Sequence, residues 1–259
     1  MKLHFYKYHG TGNDFILLDN RDRLISLDTE QVAFLCHRHY GIGADGLMLL
    51  ENADGYDFKM VYYNSDGRES TMCGNGGRCI TAFAKRLGII NSDANFLAID
   101  GGHTAHVYDD GTISLHMQDV SEISFEEGHT ILNTGSPHYI LWVNDVKNTN
   151  VFFEGNRIRN QHNFQPNGIN VNFVQLLDGK LWVRTYERGV EDETLSCGTG
   201  VTATAIAATA KATGDFNTGV QTPGGALKVS FTKPTETTAV NVVLSGLATF
   251  VFEGDIELY

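Results

Sequence analysis

Apolar and polar residues alternate over short stretches along most of the chain. The clearest case is residues 181–186, whose period of two marks a half-buried strand. Comparable runs predict strands over 3–8, 14–19, 58–63, 96–99, 104–108 and 113–117 in the first half. In the second half they predict strands over 139–143, 169–175, 227–231, 240–244 and 249–252. The HGTGN stretch at 9–13 reads as a tight turn between the first two strands. Three stretches follow the helical period instead. Over 28–38, Val32, Leu35, Cys36 and His39 share a face, Asp28 is a plausible N-cap with Gln31 three residues on, and Gly41 stops the helix. Residues 75–87 carry Ile80, Phe83, Ala84 and Leu87 and end at Gly88. Residues 199–211 are rich in Ala and Thr, which predicts a closely packed, buried helix ending before Gly214.

The two halves echo each other. The stretch from His9 to Leu18 has its counterpart in Thr134 to Val143, with Gly10 matching Gly135 (135 − 10 = 125). The stretch from Tyr63 to Gly76 has its counterpart in Tyr186 to Gly200, with Cys73 matching Cys197 (197 − 73 = 124). Two echoes in one order and nearly one register predict two like domains related by an approximate two-fold, with a cleft lined by equivalent segments. The expected division is 1–116, completed by a C-terminal strand at 249–259, and 117–248.

Composition narrows the function. The chain has 259 residues, of which 42% are hydrophobic, enough for one large domain or two smaller ones. Its 19 basic and 31 acidic residues give a net charge of −12 with no Lys/Arg cluster, which argues against nucleic acid and anionic membranes as partners. No apolar run approaches a membrane span, and the first residues lack the core of a signal peptide, so a cytoplasmic protein is expected. Four cysteines, Cys36, Cys73, Cys79 and Cys197, are too few for a secreted disulfide scaffold, and reduced thiols are expected. The ten His residues form no zinc-binding pattern, no phosphate-binding GxxxxGK[ST] occurs, and no lysine stands in a context that marks a pyridoxal site. No metal and no cofactor is expected.

The chemistry concentrates in a strand, a loop, Cys-Gly-x-Gly and a helix, occurring twice. Such a helix start presents unpaired N–H groups and the positive end of its dipole, where a carboxylate or phosphate binds. A thiol there ionises more readily than usual. Two such thiols sharing one site settle as a thiolate and a thiol, because the second proton is held by like-charge repulsion. That supplies a base and an acid, which inversion at a carbon requires. A disulfide between Cys73 and Cys197 is the competing reading of the pair. Cys36 and Cys79 read as packed core residues.

The motifs resemble those of the diaminopimelate epimerase family. The matching stretches are HGTGNDF at 9–15, RHYGIGADG at 38–46, YNSDG at 63–67, MCGNGGRC at 72–79, GSPH at 135–138, ERG at 187–189, ETLSCGTG at 193–200 and PGG at 223–225. The resemblance implies an α/β fold of two similar mixed domains, each a barrel-like sheet around a central helix, with the active site in the cleft between them. It implies a cofactor-independent epimerase of lysine and cell-wall precursor synthesis, interconverting LL- and meso-diaminopimelate with Cys73 and Cys197 as the acid/base pair. By the same resemblance, the backbone of Gly74, Asn75, Gly198 and Thr199 cradles the carboxylate at the reacting carbon. Asn13, His138 and Glu187 match residues around that centre and its amine, and Asn64, Asn170 and Arg188 match those holding the far end of the substrate. A homodimer is compatible with the resemblance. Gly46 stands where members often carry Gln, and Ser136 where many carry Asn. Proline and hydroxyproline racemases share the paired-cysteine logic but usually read Cys-Gly-His-Gly in the first motif, where this chain has Asn75. An isomerase of another amino acid and a non-catalytic amino-acid binding protein are the alternatives.

Overall fold

The computed structural model describes residues 1–258 and divides into two compact units. Unit 1 comprises Met1–Leu115 and the segment from Gly246 onward, and unit 2 is His116–Ser245.

In unit 1, β1 (Lys2–Gly10) and β2 (Asn13–Asp19) form a hairpin, followed by α1 (Thr29–Cys36), β3 (Gly46–Glu51), β4 (Phe58–Asn64), the short β5 (Glu69–Ser70) and α2 (Gly74–Arg86). Three strands follow: β6 (Asp93–Ala98), β7 (Gly101–Val107) and β8 (Thr112–His116). The pairing β2–β3 is parallel across α1, and β4–β6 is parallel across α2. The other pairs are antiparallel.

Unit 2 repeats this plan. It contains β9 (Ile123–Glu126), β10 (His129–Asn133), β11 (Pro137–Trp142), α3 (Val151–Arg159), β12 (Asn170–Leu177), β13 (Lys180–Glu187), β14 (Asp192–Thr194) and α4 (Gly198–Ala207). It closes with β15 (Gly214–Thr222), β16 (Gly225–Thr235) and β17 (Thr238–Leu247). Here β11–β12 is parallel across α3 and β13–β15 is parallel across α4. The edge that β9 gives to β10 in unit 2 is given to β1 in unit 1 by β18 (Thr249–Glu257), which pairs antiparallel from Lys2↔Glu257 to His9↔Thr249. A strand from the far end of the sequence thus completes unit 1.

Each sheet curls around one helix and carries another outside. In unit 1, α2 lies against β1, β2, β3 and β7, and ten of its thirteen residues are buried. Val32 and Leu35 of α1 pack with Ile16, Leu18, Leu47 and Leu49 from the other face of β2 and β3. In unit 2, α4 is enclosed by β10 to β13, β15 and β16, while α3 covers β12 and β13 through Val151, Ile158, Val171, Phe173 and Tyr186. Strands buried on both faces read as continuous apolar runs. That is why GLMLLE of β3 escapes the alternation test.

The predicted helices hold, with corrected limits. Asp28 caps α1, its carboxylate accepting from the Gln31 amide at 2.8 Å while the Gln31 side-chain oxygen accepts from the Asp28 amide at 3.1 Å. The helix ends at Cys36, so His39 lies beyond it and is exposed. The last predicted helix ends at Ala207 rather than Lys211. Residues 208–212 fold into turns, with Thr209 Oγ1 donating to the Ile206 carbonyl at 2.7 Å and Ala210 at φ 47°. Helix α3 escapes a search for an apolar stripe. Phe152 and Phe153 face solvent, and the mid-helix Gly155 is held there by Tyr186, whose Cβ would lie 2.3 Å from an added Cβ. Among the described residues no helix is long and apolar enough to cross a membrane.

Candidate active site

Cys73 and Cys197 occupy the same place in the two units, the N-cap of the enclosed helix. Cys73 Sγ accepts from the Gly76 amide at 3.2 Å. Cys197 Sγ stands 3.4 Å from Thr199 Oγ1. The helical ladder has no acceptor for the first amides of either helix, so Gly74, Gly198 and Thr199 direct N–H groups out of the helix end beside a thiol. Cys36 and Cys79 differ: burial pushes the Cys36 thiol up to about 12 and Cys79 higher still, so both are packing residues.

Unit 1 braces the first turn of α2 through two side-chain amides. Asn75 Nδ2 donates to Asn13 Oδ1 at 3.1 Å, and Asn13 Nδ2 donates to Asp45 Oδ2 at 2.7 Å. Arg38 holds Asp45 Oδ1 at 2.7 Å and reaches Asp14 on β2 at 2.7 Å, where Lys7 of β1 also pairs at 2.7 Å. Burial raises the Asp14 carboxyl, but hydrogen bonds from Arg38 and Lys7 outweigh it and hold the group at about 2. On the other side of Asn75 lies Arg78, fully buried. It donates to the Gly74 carbonyl and to Asn75 Oδ1, both at 3.0 Å, and among the described residues no carboxylate pairs with it. Burial pulls its guanidinium below the ordinary value, yet arginine stays charged. Asn64 ends β4, exposed, and opposite Gly46 in the register.

Gly46 is a packing necessity. A Cβ there would fall 2.6 Å from Tyr62 Cε2 and 2.7 Å from the Tyr63 carbonyl oxygen. The Tyr62 ring fills the space a side chain at 46 would use.

Unit 2 gathers the remaining residues. His138 on β11 is directly beside Asn170 on β12. Asn170 Nδ2 donates to Ser136 Oγ at 2.8 Å and to the Pro137 carbonyl at 3.1 Å, while its Oδ1 accepts from the Arg188 amide at 2.9 Å. Arg188 Nη2 donates to Ser136 Oγ at 3.3 Å, so the serine hydroxyl bridges the amide and the guanidinium. Glu187 Oε2 accepts from Thr194 Oγ1 at 2.9 Å. Thr134 Oγ1 donates to the Thr199 carbonyl at 2.9 Å, tying the turn before β11 to the start of α4.

The sequence reading did not single out Arg78, Asp45 or Asn172, which the structure sets against the candidate residues Asn75, Asn13 and His138. A charged residue inside a helix of small and apolar residues signals Arg78. Asp45 meets Asn13 of β2 and Arg38 of the loop after α1, and Asn172 meets residues of β11 and β13, so neither leaves a local mark.

A family model described as diaminopimelate epimerase matches residues 5–123 and 130–251. A diaminopimelate epimerase of Flavobacterium psychrophilum is 51% identical, over 99% of this chain and 100% of that protein. One of Chlorobaculum tepidum is 41% identical, over 96% and 99%. Among solved structures, a PhzF-family phenazine biosynthesis protein of Bacillus anthracis superposes with a TM-score of 0.78 over 100% of both chains at 14% identity. A hydroxyproline epimerase of Agrobacterium vitis, bound to trans-4-hydroxy-L-proline, gives 0.69 over 98% and 92% at 17% identity. At such identities these two show the fold, whereas the near full-length sequence relatives show the family. The chain belongs to the diaminopimelate epimerase family.

Proposed function

We propose that this protein interconverts LL- and meso-diaminopimelate without a cofactor, using Cys73 and Cys197 as its acid/base pair. The observation that carries the reading is the repeat of one device, a cysteine at the N-cap of a buried, glycine-led helix in each unit. Family membership supplies the substrate.

In this reading one cysteine, as thiolate, removes the α-proton from one face of the carbon. The C–H electron pair spreads onto the α-carboxylate, whose negative charge is met by helix N–H groups of Gly74, Asn75, Gly198 and Thr199. The other cysteine, as thiol, returns a proton to the opposite face, so the centre inverts and the two sulfurs exchange protonation states. Glu187 and the Asn13 carbonyl oxygen suit the α-ammonium, and His138 stands near the reacting centre. Asn64, Asn170 and Arg188 hold the distal amino-acid end, where a guanidinium forks onto a carboxylate. Lysine and cell-wall precursor synthesis is the process such a reaction serves.

The test is incubation of reduced protein with LL-diaminopimelate in heavy water. Deuterium is expected at one α-carbon together with meso product, and Cys73→Ala and Cys197→Ala are each expected to abolish epimerisation. Substantial meso product from either variant would defeat the two-base scheme. No α-proton exchange in the unaltered enzyme would defeat the activity.

A further inference from the structure

His138 is fully buried, and its surroundings fix where its proton lies. Asn172 on β12, equally buried, sets its Nδ2 3.1 Å from His138 Nδ1 and 3.2 Å from the Tyr139 carbonyl oxygen. Its Oδ1 accepts from Thr185 Oγ1 of β13 at 2.9 Å. A backbone carbonyl can only accept, so the end of the amide facing Tyr139 must be the NH2 group. The reverse orientation would set two acceptors against each other. The same NH2 therefore donates to His138 Nδ1, which must carry no hydrogen. Burial, with the Arg188 charge acting in the same direction, holds the ring down to about 3, so at neutral pH it has one proton, and that proton is on Nε2.

Nε2 is the end of the ring with no partner among the described residues. A buried donor is costly to leave unmet, so this N–H calls for an acceptor that the protein does not supply. It lies against the thiol-bearing helix start. A Cβ placed on Gly200 would stand 2.4 Å from Asn172 Oδ1, 3.3 Å from His138 Cε1 and 3.4 Å from Cys197 Cβ. Only glycine allows the first turn of α4 this close to the pair. An N–H donor repels an ammonium and suits an anionic oxygen.

We propose that Asn172, braced by Thr185, is a positioning residue that locks His138 as its Nε2–H tautomer, making the ring a neutral hydrogen-bond donor to a substrate carboxylate rather than a base, a cation or an amine ligand. This rests on the amino-acid substrate of the proposed function, but the tautomer is measurable without turnover.

The experiment uses the full chain labelled with nitrogen-15 histidine, with His138 assigned by its loss in a substituted protein. Long-range proton–nitrogen spectra distinguish bare from protonated ring nitrogens. The unaltered protein is expected to show a bare Nδ1 and a protonated Nε2 at neutral pH. Asn172→Asp, close in shape but unable to donate, is expected to move the proton to Nδ1 and lower kcat on diaminopimelate about a hundredfold, the cost of one misdirected donor. Thr185→Val is expected to give mixed tautomers and a smaller loss. His138→Gln, whose amide N–H can stand in for Nε2–H, should lose far less activity than His138→Leu. An Nδ1–H tautomer or an imidazolium in the unaltered protein overturns the proposal, and so does equal inactivity of the Gln and Leu variants. Should Asn172→Asp fail to fold, the unaltered spectrum and Thr185→Val still decide. Protein that shows the expected tautomer but leaves diaminopimelate unchanged keeps the lock and loses the activity.

Discussion

Side chains that look alike in the sequence take opposite roles once their surroundings are drawn. Cys79 sits one and a half turns into the helix that Cys73 caps, yet it is fully buried and its thiol is pushed far up by desolvation. Iodoacetamide at neutral pH is therefore expected to spare Cys36 and Cys79 in the native protein and to reach them only after unfolding, as read by peptide mass mapping. Gly46 makes a second residue-scale case. The Gln that family members often carry there meets the Tyr62 ring and a backbone carbonyl. Gly46→Gln is expected to destabilise the chain by about 1–3 kcal/mol in urea unfolding, the usual cost of overpacking. Cys73 and Cys197 are legible because Cys-Gly-x-Gly is unusual and occurs twice. Asn172 is not, since its meaning comes from His138 and Thr185, brought to it only by the pairing of three strands.

Elements show the same split between local and distant causes. The capped start of α1 and the alternation of β13 are written into neighbouring residues and follow from the sequence. The strand β3 and the helix α3 do not, because burial on both faces erases a period of two and exposed aromatics blur a period of 3.6. Asp14 joins β1, β2 and the loop after α1 through Lys7 and Arg38. Its carboxyl is held at about 2 when folded, against 3.8 ordinarily. The stability it lends is complete above about pH 4 and drains away as pH falls toward 2. Asp14→Asn is expected to cost about 3 kcal/mol at neutral pH, since it leaves the buried Lys7 without its counter-charge. It should also flatten the acid limb between pH 4 and 2, as followed by circular dichroism.

At the scale of the whole chain, the repeat seen in two short echoes extends to every sheet pairing. Each unit runs hairpin, crossover helix, parallel strand, antiparallel strand, capped helix and meander. Short echoes could reveal the repeat because glycine and cysteine positions at turns and helix starts tolerate few replacements, while the strands between them exchange apolar residues freely. The sheets differ in where the edge strand comes from, β9 in unit 2 and β18 in unit 1. Ending the chain before Thr249 is expected to unfold unit 1, leaving β1 unpaired on one side, and hydrogen exchange should then show protection lost across β1 and β2 but kept in β12 and β13.

That last strand also sets an order of events on the ribosome. All of unit 2 is one unbroken segment, so its partners are all translated before the final strand of unit 1 emerges. Unit 1, whose β1 precedes unit 2 in the chain, waits with β1 short of a neighbour until β18 has been translated. The unit begun earlier is the one that matures later, and for that interval a nascent chain depends on whatever shields an open sheet edge in the cell.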